Sequence, residues 1–339
     1  MLLRRLMVMV CAGLVWMAAS PLCAADTLAF RISTENTATH VQTLMVKRFA
    51  ALLAERTQGR LDVEFHSAAE LFRDQDVIKA LNEGKVEMAV PGMWQLDRFE
   101  PNVGLFMLPS FYGREAATHY RIRDGKIGQE VNTRLESKIN GKVLGRWIDL
   151  GHAHLYFSEH RVSRHEDLAG LRIRVAGGEA NKARLVQFGA EPLIIPWPDF
   201  PAALAAGKVS GVLTSHETVV SAQLWTKGIR YGFEDREYFA QYIPVVAGAF
   251  WSRLPGDLQG ILAATWEETV DAARREAALA QDKARQTLLD NGVEIVVPTS
   301  QAIAAWREKL ISQQSALAAR MSLDEALLSA ALQELETSP

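Results

Sequence analysis

Two eleven-residue stretches decide the fold: residues 76–86 read DVIKALNEGKV, and residues 199–209 read DFPAALAAGKV. They align without gaps and share Asp, Ala, Leu, Gly, Lys and Val at matching positions. Each has the pattern of a helix that ends at a glycine and is followed by a strand. Coincidence between common helix-ending residues is one interpretation. Because each stretch also occupies the same place in a series of strands and helices, we favour two α/β lobes of similar construction.

Alternating apolar positions and helical spacings around both stretches predict the two series. The first series has strands at 28–32, 61–65 and 86–90, with helices at 39–57 and 76–82. The second has strands at 171–175, 192–195 and 209–213, with helices at 180–188 and 199–206. Alternation of this kind is typical of α/β domains with a parallel sheet.

The pattern changes after the second series. Residues 240–250 are apolar and predict a strand or a segment that crosses between lobes. Residues 256–291 are rich in Ala, Leu, Glu, Arg and Gln and predict one helix of roughly 50 Å, long enough to join two lobes. Two further helices are predicted at 300–320 and 324–335.

Composition limits the function classes. The chain has 339 residues, 48% of them hydrophobic, and a formal net charge of -3. These values are typical of a folded protein with two domains rather than a disordered chain. A pI of 6.3 argues against a nucleic-acid binder, and a mean hydropathy of -0.02 argues against a protein with many membrane spans.

The N-terminus predicts export. A pair of arginines precedes an uncharged apolar run at residues 6–19, and small residues precede a predicted cleavage after Ala25. This is the pattern of a secretory signal peptide, so we expect residues 1–25 to be removed and the protein to be periplasmic. The only cysteines, Cys11 and Cys23, lie in that segment. The mature chain would therefore contain no thiol nucleophile or cysteine–metal site.

Motifs of common enzymes are absent from the sequence. There is no phosphate-binding G-x-x-x-x-G-K-[ST], no G-x-G-x-x-G after a strand and no G-x-S-x-G. Residues 216–220 begin like H-E-x-x-H but lack the second histidine. A nucleotide-binding protein and a hydrolase of these common types are therefore less expected.

The histidines raise the question of a metal. His152 and His154 share one face of a predicted strand, and His160 and His165 follow. They are equally explained as surface or hydrogen-bonded histidines. Because spacing alone does not supply the acidic or further histidine partners that zinc requires, we predict no metal site.

Arg174 is the strongest candidate for binding. In residues 170–175, GLRIRV, apolar positions alternate with Arg172 and Arg174. Arg174 lies at the carboxyl end of the predicted strand, just before two glycines, where open α/β sheets bind their ligands. A guanidinium there can hold a carboxylate through two parallel hydrogen bonds. An exposed arginine at the end of the sheet is the alternative.

Several motifs resemble those of one family. Residues 166–175, EDLAGLRIRV, resemble the "eDLkGLKIRv" signature of TRAP (tripartite ATP-independent periplasmic) transporter solute-binding proteins of the DctP type. Residues 47–61, 71–89 and 203–211 resemble further motifs of that family, with Ser210 in place of its Asp. The resemblance covers nearly the whole mature chain.

The resemblance implies an α/β, two-lobed periplasmic-binding-protein-like fold with a hinged ligand cleft and a long C-terminal helix that spans both lobes. The expected ranges are 26–150 and 241–280 for lobe 1, and 151–240 and 281–339 for lobe 2. It also implies capture of a small carboxylate-bearing metabolite (a dicarboxylate, a keto or hydroxy acid, or a sugar acid) and its delivery to a membrane permease. By the same resemblance, Arg174 binds the ligand carboxylate, and we expect a protein that is not an enzyme, with no catalytic residues and no cofactor.

Two departures from the family restrict the ligand. A second arginine that is common in the family would fall at Ala153, and an asparagine would fall at Thr214. Ligands that depend on those residues, sialic acid among them, are therefore less expected.

Further ligand contacts are predicted from polar and aromatic residues at or near the carboxyl ends of strands. These are Glu35, Asn36, His40, Trp94, Gln95, Trp147, Tyr156, Trp197, Thr214 and His216. Taken singly, each is equally explained by packing or helix capping. Two rival functions stay open: a ligand sensor for a signalling receptor, and an exported enzyme with Glu35 or His216 as its base.

Overall fold

The computed structural model describes residues 27–336, in which strands and helices alternate. The strands are β1 (Leu28–Ser33), β2 (Leu61–His66), β3 (Met88–Ala89), β4 (Gly141–Val143), β5 (Ile148–Phe157), β6 (Arg172–Val175), β7 (Glu191–Ile194), β8 (Gly211–Thr214), β9 (Tyr231–Tyr242), β10 (Val245–Ala247) and β11 (Glu294–Val296). The predicted signal peptide and both cysteines lie outside the described residues. Within residues 27–336, no helix combines the length and the apolar character needed to cross a membrane.

Twelve α-helices are described between these strands. They are α1 (Val41–Thr57), α2 (Asp74–Asn82), α3 (Ala116–Arg123), α4 (Lys126–Ile139), α5 (Glu179–Gln187), α6 (Phe200–Ala205), α7 (His216–Ser221), α8 (Gly248–Arg253), α9 (Gly256–Asp290), α10 (Ser300–Ile311), α11 (Gln314–Arg320) and α12 (Glu325–Glu336). Short 3-10 turns connect several of them.

The first sheet has five strands in the order β2-β1-β3-β10-β4. β1 pairs parallel with β2 and β3, whereas β10 runs antiparallel to β3 and β4. The alternation in β1 has the expected result: Phe30 and Ile32 are fully buried, and the Arg31 guanidinium between them pairs with Glu87. This sheet and its helices form the first lobe.

The second sheet has six strands in the order β11-β9-β5-β8-β6-β7. β8, β6 and β7 pair in parallel, as do β11 and β9, and β5 runs antiparallel to both of its neighbours. The carboxyl ends of β6 and β8 therefore meet at one edge, as in other parallel sheets. Arg174 and Thr214 lie at that edge.

Two long strands, β5 and β9, connect the lobes. They pair along most of their length, and the register shifts twice, between Asp149 and Gly151 and between Ala153 and Leu155. At the far end of β9, Tyr242 forms a β-bridge with Gly92 of the first lobe. Two of the three predicted lobe boundaries, after residues 150 and 240, fall inside these strands, and the third, after residue 280, falls inside α9. The exact residue ranges of the lobes stay a prediction.

Helix α9 spans both lobes and has 35 residues, in agreement with the predicted helix over 256–291. In the first lobe it packs on α1, where the Trp266 ring meets Phe49 edge to face with centroids 5.1 Å apart. In the second lobe it packs on α7, where the backbone N–H of Glu217 donates to Gln281 Oε1 at 3.0 Å. The Gln281 amide also donates to Leu150 O of β5.

Three predicted elements differ from the structure. The strand predicted at 86–90 is reduced to Met88–Ala89. The apolar stretch 240–250 contains the end of β9, then β10 and the start of α8, because a strand in each lobe uses part of it. The helix predicted at 300–320 is divided into α10 and α11, with Ser312 and Gln313 between them.

Candidate functional site

A cavity lies between the lobes, at the edge where β1, β6 and β8 end. Its empty space is about 520 Å³ when the part that opens to solvent is counted. Its walls come from both lobes and from the crossing strands β5 and β9. The residues that line it are Glu35, Asn36, Asp74, Trp94, Leu150, Ala153, Arg174, Ala176, Asn181, Trp197, Leu213, Thr214, Thr218, Tyr238 and Tyr242.

Arg174 is the only basic residue among the described residues that line this cavity. Its side chain is 2% exposed, and its Nε donates to Ile195 O at 2.8 Å. Nη2 is buried and has no hydrogen-bond partner in the described part of the chain. A buried guanidinium N–H without an acceptor is costly, so this atom is prepared for an anionic ligand. Burial lowers the pKa of Arg174 to about 10, which leaves it protonated at neutral pH.

Aromatic rings surround the guanidinium and the rest of the cavity. The Arg174 guanidinium carbon lies 5.3 Å from the centroid of the Trp197 ring, within the range of a cation–π contact. On the other side, Trp94 packs edge to face against Tyr238 and Tyr242 of β9. These rings offer apolar surface beside the charged group, and they limit how far the guanidinium can move.

The wall from the first lobe is acidic. Glu35 follows β1, and its Oε1 accepts a hydrogen bond from the backbone N–H of Asp74 at 3.3 Å. Asp74 begins α2, and its Oδ2 accepts from the backbone N–H of Gly92 at 3.3 Å. Burial raises the pKa of both carboxyl groups. Arg174 opposes the shift at Glu35, whereas Glu35 adds to the shift at Asp74.

Neutral polar groups complete the walls. Asn36 Nδ2 donates to the Tyr242 hydroxyl at 2.9 Å and to Gln42 Oε1 at 3.1 Å, so both of its N–H groups are used within the first lobe. On the opposite wall, Asn181 Nδ2 donates to Gly177 O at 3.2 Å. Thr214 ends β8 and is opposite His154 in the register with β5.

Direct contacts between the lobes close the cavity. Gln95 Nε2 of the first lobe donates to Ala176 O at 2.8 Å, and Asp97 Oδ2 accepts from the backbone N–H of Glu179 at 2.7 Å. At the rim, the Arg73 guanidinium pairs with the Asp199 carboxylate through two hydrogen bonds of 2.7 and 3.0 Å. The structure therefore has the two lobes in contact over the cavity.

Six of the residues predicted from the sequence line the cavity: Glu35, Asn36, Trp94, Arg174, Trp197 and Thr214. The other five lie outside its walls.

Two of these five make contacts between the lobes. Gln95 is one of them, and His40 is the other: it caps α1, and its Nε2 lies 3.0 Å from Glu217 Oε2 of α7. Trp147 is buried in the first lobe, where its Nε1 donates to Asn132. Tyr156 belongs to the core of the second lobe. The hydroxyl of Tyr156 contacts His216 Nδ1 away from the cavity.

Sequence reasoning missed Asp74, Asn181 and the two tyrosine residues of the walls. Tyr238 and Tyr242 are four residues apart on β9 and therefore share one face of the strand. This spacing could have identified them if the segment had been recognised as a strand. Asp74 had no such signal: it precedes the helix predicted at 76–82, and only in the structure is it the first residue of α2. Asn181, inside α5, also lacked one.

The family assignment follows from comparison with known proteins. The model of the family "Bacterial extracellular solute-binding protein, family 7" (DctP) matches residues 32–320. The chain belongs to this family. The resemblance stated from the sequence motifs is thereby confirmed.

Curated family-7 relatives match over most of their length. The chain is 26% identical over 283 residues to the C4-dicarboxylate-binding periplasmic protein DctP of Rhodobacter capsulatus, which covers 82% of each protein. It is 27% identical over 285 residues to the 2,3-diketo-L-gulonate-binding periplasmic protein YiaO of Escherichia coli K12, with 84% of this chain and 85% of the relative covered.

Solved structures have the same fold. The sugar acid binding protein DctPAm of Advenella mimigardefordensis, solved with galactonate, superposes with a TM-score of 0.85 at 17% identity and covers 91% of this chain and 98% of its own. A TRAP periplasmic solute binding protein from Sulfurospirillum deleyianum, solved with succinate, superposes with a TM-score of 0.80 at 21% identity. The match covers 90% of this chain and 98% of that protein. The predicted two-lobed α/β fold of this family-7 protein, with its long helix, is confirmed.

Proposed function

We propose that this protein is the extracytoplasmic solute-binding component of a TRAP transporter. It captures a small carboxylate-bearing metabolite between its lobes and delivers it to the permease subunits in the membrane. The family assignment supports this role. The observation that carries it is Arg174, a buried guanidinium with a free N–H in a cavity closed by both lobes. Enclosure excludes water, which strengthens the pairing of Arg174 with an anion.

The charges of the cavity favour a hydroxylated monocarboxylate, such as a sugar acid, over a dicarboxylate. One carboxylate is neutralised by Arg174. A second carboxylate would have no cation to pair with, because the described walls contain no other basic residue, and it would lie beside the Glu35 carboxyl group, whose ionisation Arg174 favours. Hydroxyl groups suit that wall, since carboxyl oxygens accept hydrogen bonds from them. Among the related proteins, sugar acids are represented by galactonate and D-glucuronate.

A matched set of compounds tests both parts of this proposal by calorimetric titration. Galactonate has one carboxylate, galactarate has one at each end of the same carbon chain, and galactitol has none. We expect galactonate to bind more tightly than galactarate by about tenfold or more, and galactitol not to bind. If galactarate or succinate binds more tightly than galactonate, the predicted preference for a monocarboxylate is wrong, but the proposed function is not contradicted. Binding of galactitol, or of no organic acid in a wider panel, would contradict the proposed function.

Substitution of Glu35 tests the acidic wall. We expect Glu35→Gln to weaken binding of the hydroxy acid by about tenfold, because a hydrogen bond to a charged group is lost from an enclosed site. The same substitution should narrow the difference between galactonate and galactarate. Glu64→Gln is the matched control, because Glu64 is a half-exposed glutamate on β2 outside the cavity. Unchanged discrimination in Glu35→Gln would overturn the proposed role of this wall.

The proposed location is the periplasm, and the curated relatives named above are periplasmic proteins. We expect mature protein recovered from the periplasm to begin near Asp26 and to contain no free thiol. Intact-mass spectrometry measures both properties. A retained N-terminus, or a lipid on Cys23, would contradict the proposed processing.

Two rival functions are tested separately. A sensor would bind the same ligand but dock on a receptor domain instead of a permease. Co-purification with permease subunits is therefore expected of a transport protein and not of a sensor. An enzyme would convert the ligand, and chromatography of the ligand after incubation with the protein detects conversion. The proposal expects the ligand to be recovered unchanged.

A further inference from the structure

A second cluster of polar residues lies apart from the ligand cavity, beside the long helix α9. His154 of β5, His216 at the start of α7 and Glu234 of β9 come together there. One donor atom from each lies within 4.8 Å of the other two. The two imidazole rings are 4.6 Å apart, and His216 Nε2 lies 3.5 Å from Glu234 Oε2. All three line a groove that is open to solvent and is bordered by Gln281 and Arg285 of α9.

We propose that these three residues form a binding site for a late first-row divalent metal such as Zn²⁺. Two imidazoles and one carboxylate are a ligand set that zinc commonly takes, with a fourth position left for water. Here the fourth position faces the groove. Cysteine ligands are not required, so their absence from residues 27–336 is no obstacle.

The surroundings of the two imidazoles support this assignment. A metal-binding imidazole usually donates its other N–H to an oxygen atom, which fixes the ring. His216 Nδ1 contacts the Tyr156 hydroxyl, and His154 Nδ1 lies 3.9 Å from Asp235 Oδ1. The backbone N–H of Arg236 donates to His154 Nδ1 at 3.3 Å, so metal binding through Nε2 requires the other tautomer, with the proton on Nδ1 and this hydrogen bond lost.

The Glu234 carboxylate is held in place by a hydrogen bond from α9. Arg285 Nε donates to Glu234 Oε2 at 2.7 Å, which orients the carboxylate, and this is the same oxygen atom that lies 3.5 Å from His216 Nε2. The positive charges of Arg285 and Arg236 lie near the site, and their repulsion of a divalent cation lowers its affinity.

The position of the site gives it a mechanical consequence. β5 and β9 are the strands that cross between the lobes, and α7 belongs to the second lobe. A metal held by all three elements would fix their relative positions at the crossing. Sequence analysis grouped His154 with His152, His160 and His165, its neighbours along the chain. The fold brings it to His216 and Glu234 instead.

Titration of Zn²⁺ into tag-free, EDTA-treated protein tests the proposal. We expect one zinc ion per chain with a dissociation constant in the micromolar range or below, and a higher Tm with zinc. Glu234→Gln and His154→Ala should each weaken binding by about 10- to 100-fold. His66→Ala is the control for surface binding, because His66 lies beside Glu64 and Glu70 on the first lobe and should leave the affinity unchanged.

Cobalt provides a second readout that does not depend on stability. Co²⁺ bound by two histidines, a carboxylate and water should give the intense visible absorption of a four-coordinate ion, and Glu234→Gln should lose it. Absence of zinc binding would overturn the proposal. Binding that persists in both variants, or that is lost in His66→Ala, would identify an adventitious ion only and overturn it as well.

Discussion

Arg174→Ala is expected to weaken binding of the ligand by about 30- to several-thousand-fold, the largest effect on binding that the structure predicts for a single side chain. Truncation of one partner of a buried, hydrogen-bonded charge pair costs roughly 2–5 kcal/mol. Much of that cost arises because the ligand carboxylate would remain enclosed without a cation. The described cavity walls offer no second basic residue to replace Arg174.

Conservative and neighbouring substitutions separate charge from packing. Arg174→Lys should recover only part of the affinity, because an ammonium cannot reproduce two parallel hydrogen bonds or the bond from Nε to Ile195 O. Arg172→Ala is the matched control: Arg172 stands two residues earlier on the same strand, is exposed, and donates to Gly207 O. Calorimetric titration and melting curves of the three variants measure affinity and folding together. A folded Arg174→Ala protein with wild-type affinity would contradict the assignment of the site.

The second large effect is on stability and concerns a buried charge cluster in the second lobe. Arg184, His165, Asp235 and Glu237 are each 1–4% exposed. Arg184 Nε lies 3.0 Å from Glu237 Oε2, and His165 Nε2 contacts Glu237 and lies 3.6 Å from Asp235 Oδ2. Two carboxylates are thus balanced by one guanidinium and one imidazolium. Removal of either cation leaves a buried negative charge without compensation.

We expect Arg184→Met to lower the free energy of unfolding by about 3–5 kcal/mol at pH 7, as measured by urea denaturation. Glu294→Gln is the control, because Glu294 pairs with Arg161 at the surface, where an ion pair contributes about 1 kcal/mol or less. If the free energy of unfolding falls by the same small amount in both variants, the buried cluster contributes no more to stability than a surface ion pair, which would contradict the prediction.

The same cluster predicts a pH dependence. Burial alone would lower the pKa of His165, but the charge of Glu237 and hydrogen bonds to Asp235 and Glu237 raise it to about 10. A pKa that is higher in the folded state means that the folded protein holds the proton more tightly. The resulting stability is complete below the ordinary histidine pKa of about 6.5 and is lost as pH rises toward 10.

We therefore expect the free energy of unfolding to fall between pH 7 and pH 10, and to fall less steeply in His165→Gln. Urea denaturation of both proteins at several pH values measures the two slopes. Parallel slopes would contradict the assigned role of His165.

Features that depend on local sequence could be predicted. Arg174 follows directly from its strand, because alternation fixes its side and the glycines after it mark the strand end. The long helix α9 has an uninterrupted helical composition, and its predicted end at Asn291 differs from the structure by one residue. In these cases the residues that determine the structure are neighbours along the chain.

Features that depend on tertiary packing could not be predicted. In β5, Ala153 lines the ligand cavity, whereas His152 and His154 line the separate groove beside α9. Alternation along β5 shows that these residues lie on opposite faces of the strand. Only the packing of the sheet determines which face borders the ligand cavity and which borders the groove. Trp147 and Tyr156 are large aromatic residues that are buried in the lobe cores. The sequence does not distinguish such a residue from one that lines the cavity. Asp74 precedes the predicted helix, and only in the structure is it the first residue of α2.

A crystal structure of the protein with its tightest-binding acid tests the central claim most directly. The account predicts the ligand in the cavity between the lobes, with a carboxylate oxygen within hydrogen-bond distance of Arg174 Nη2 and hydroxyl groups toward Glu35 and Asp74. A ligand bound elsewhere, or bound in this cavity with its carboxylate away from Arg174, would contradict the account.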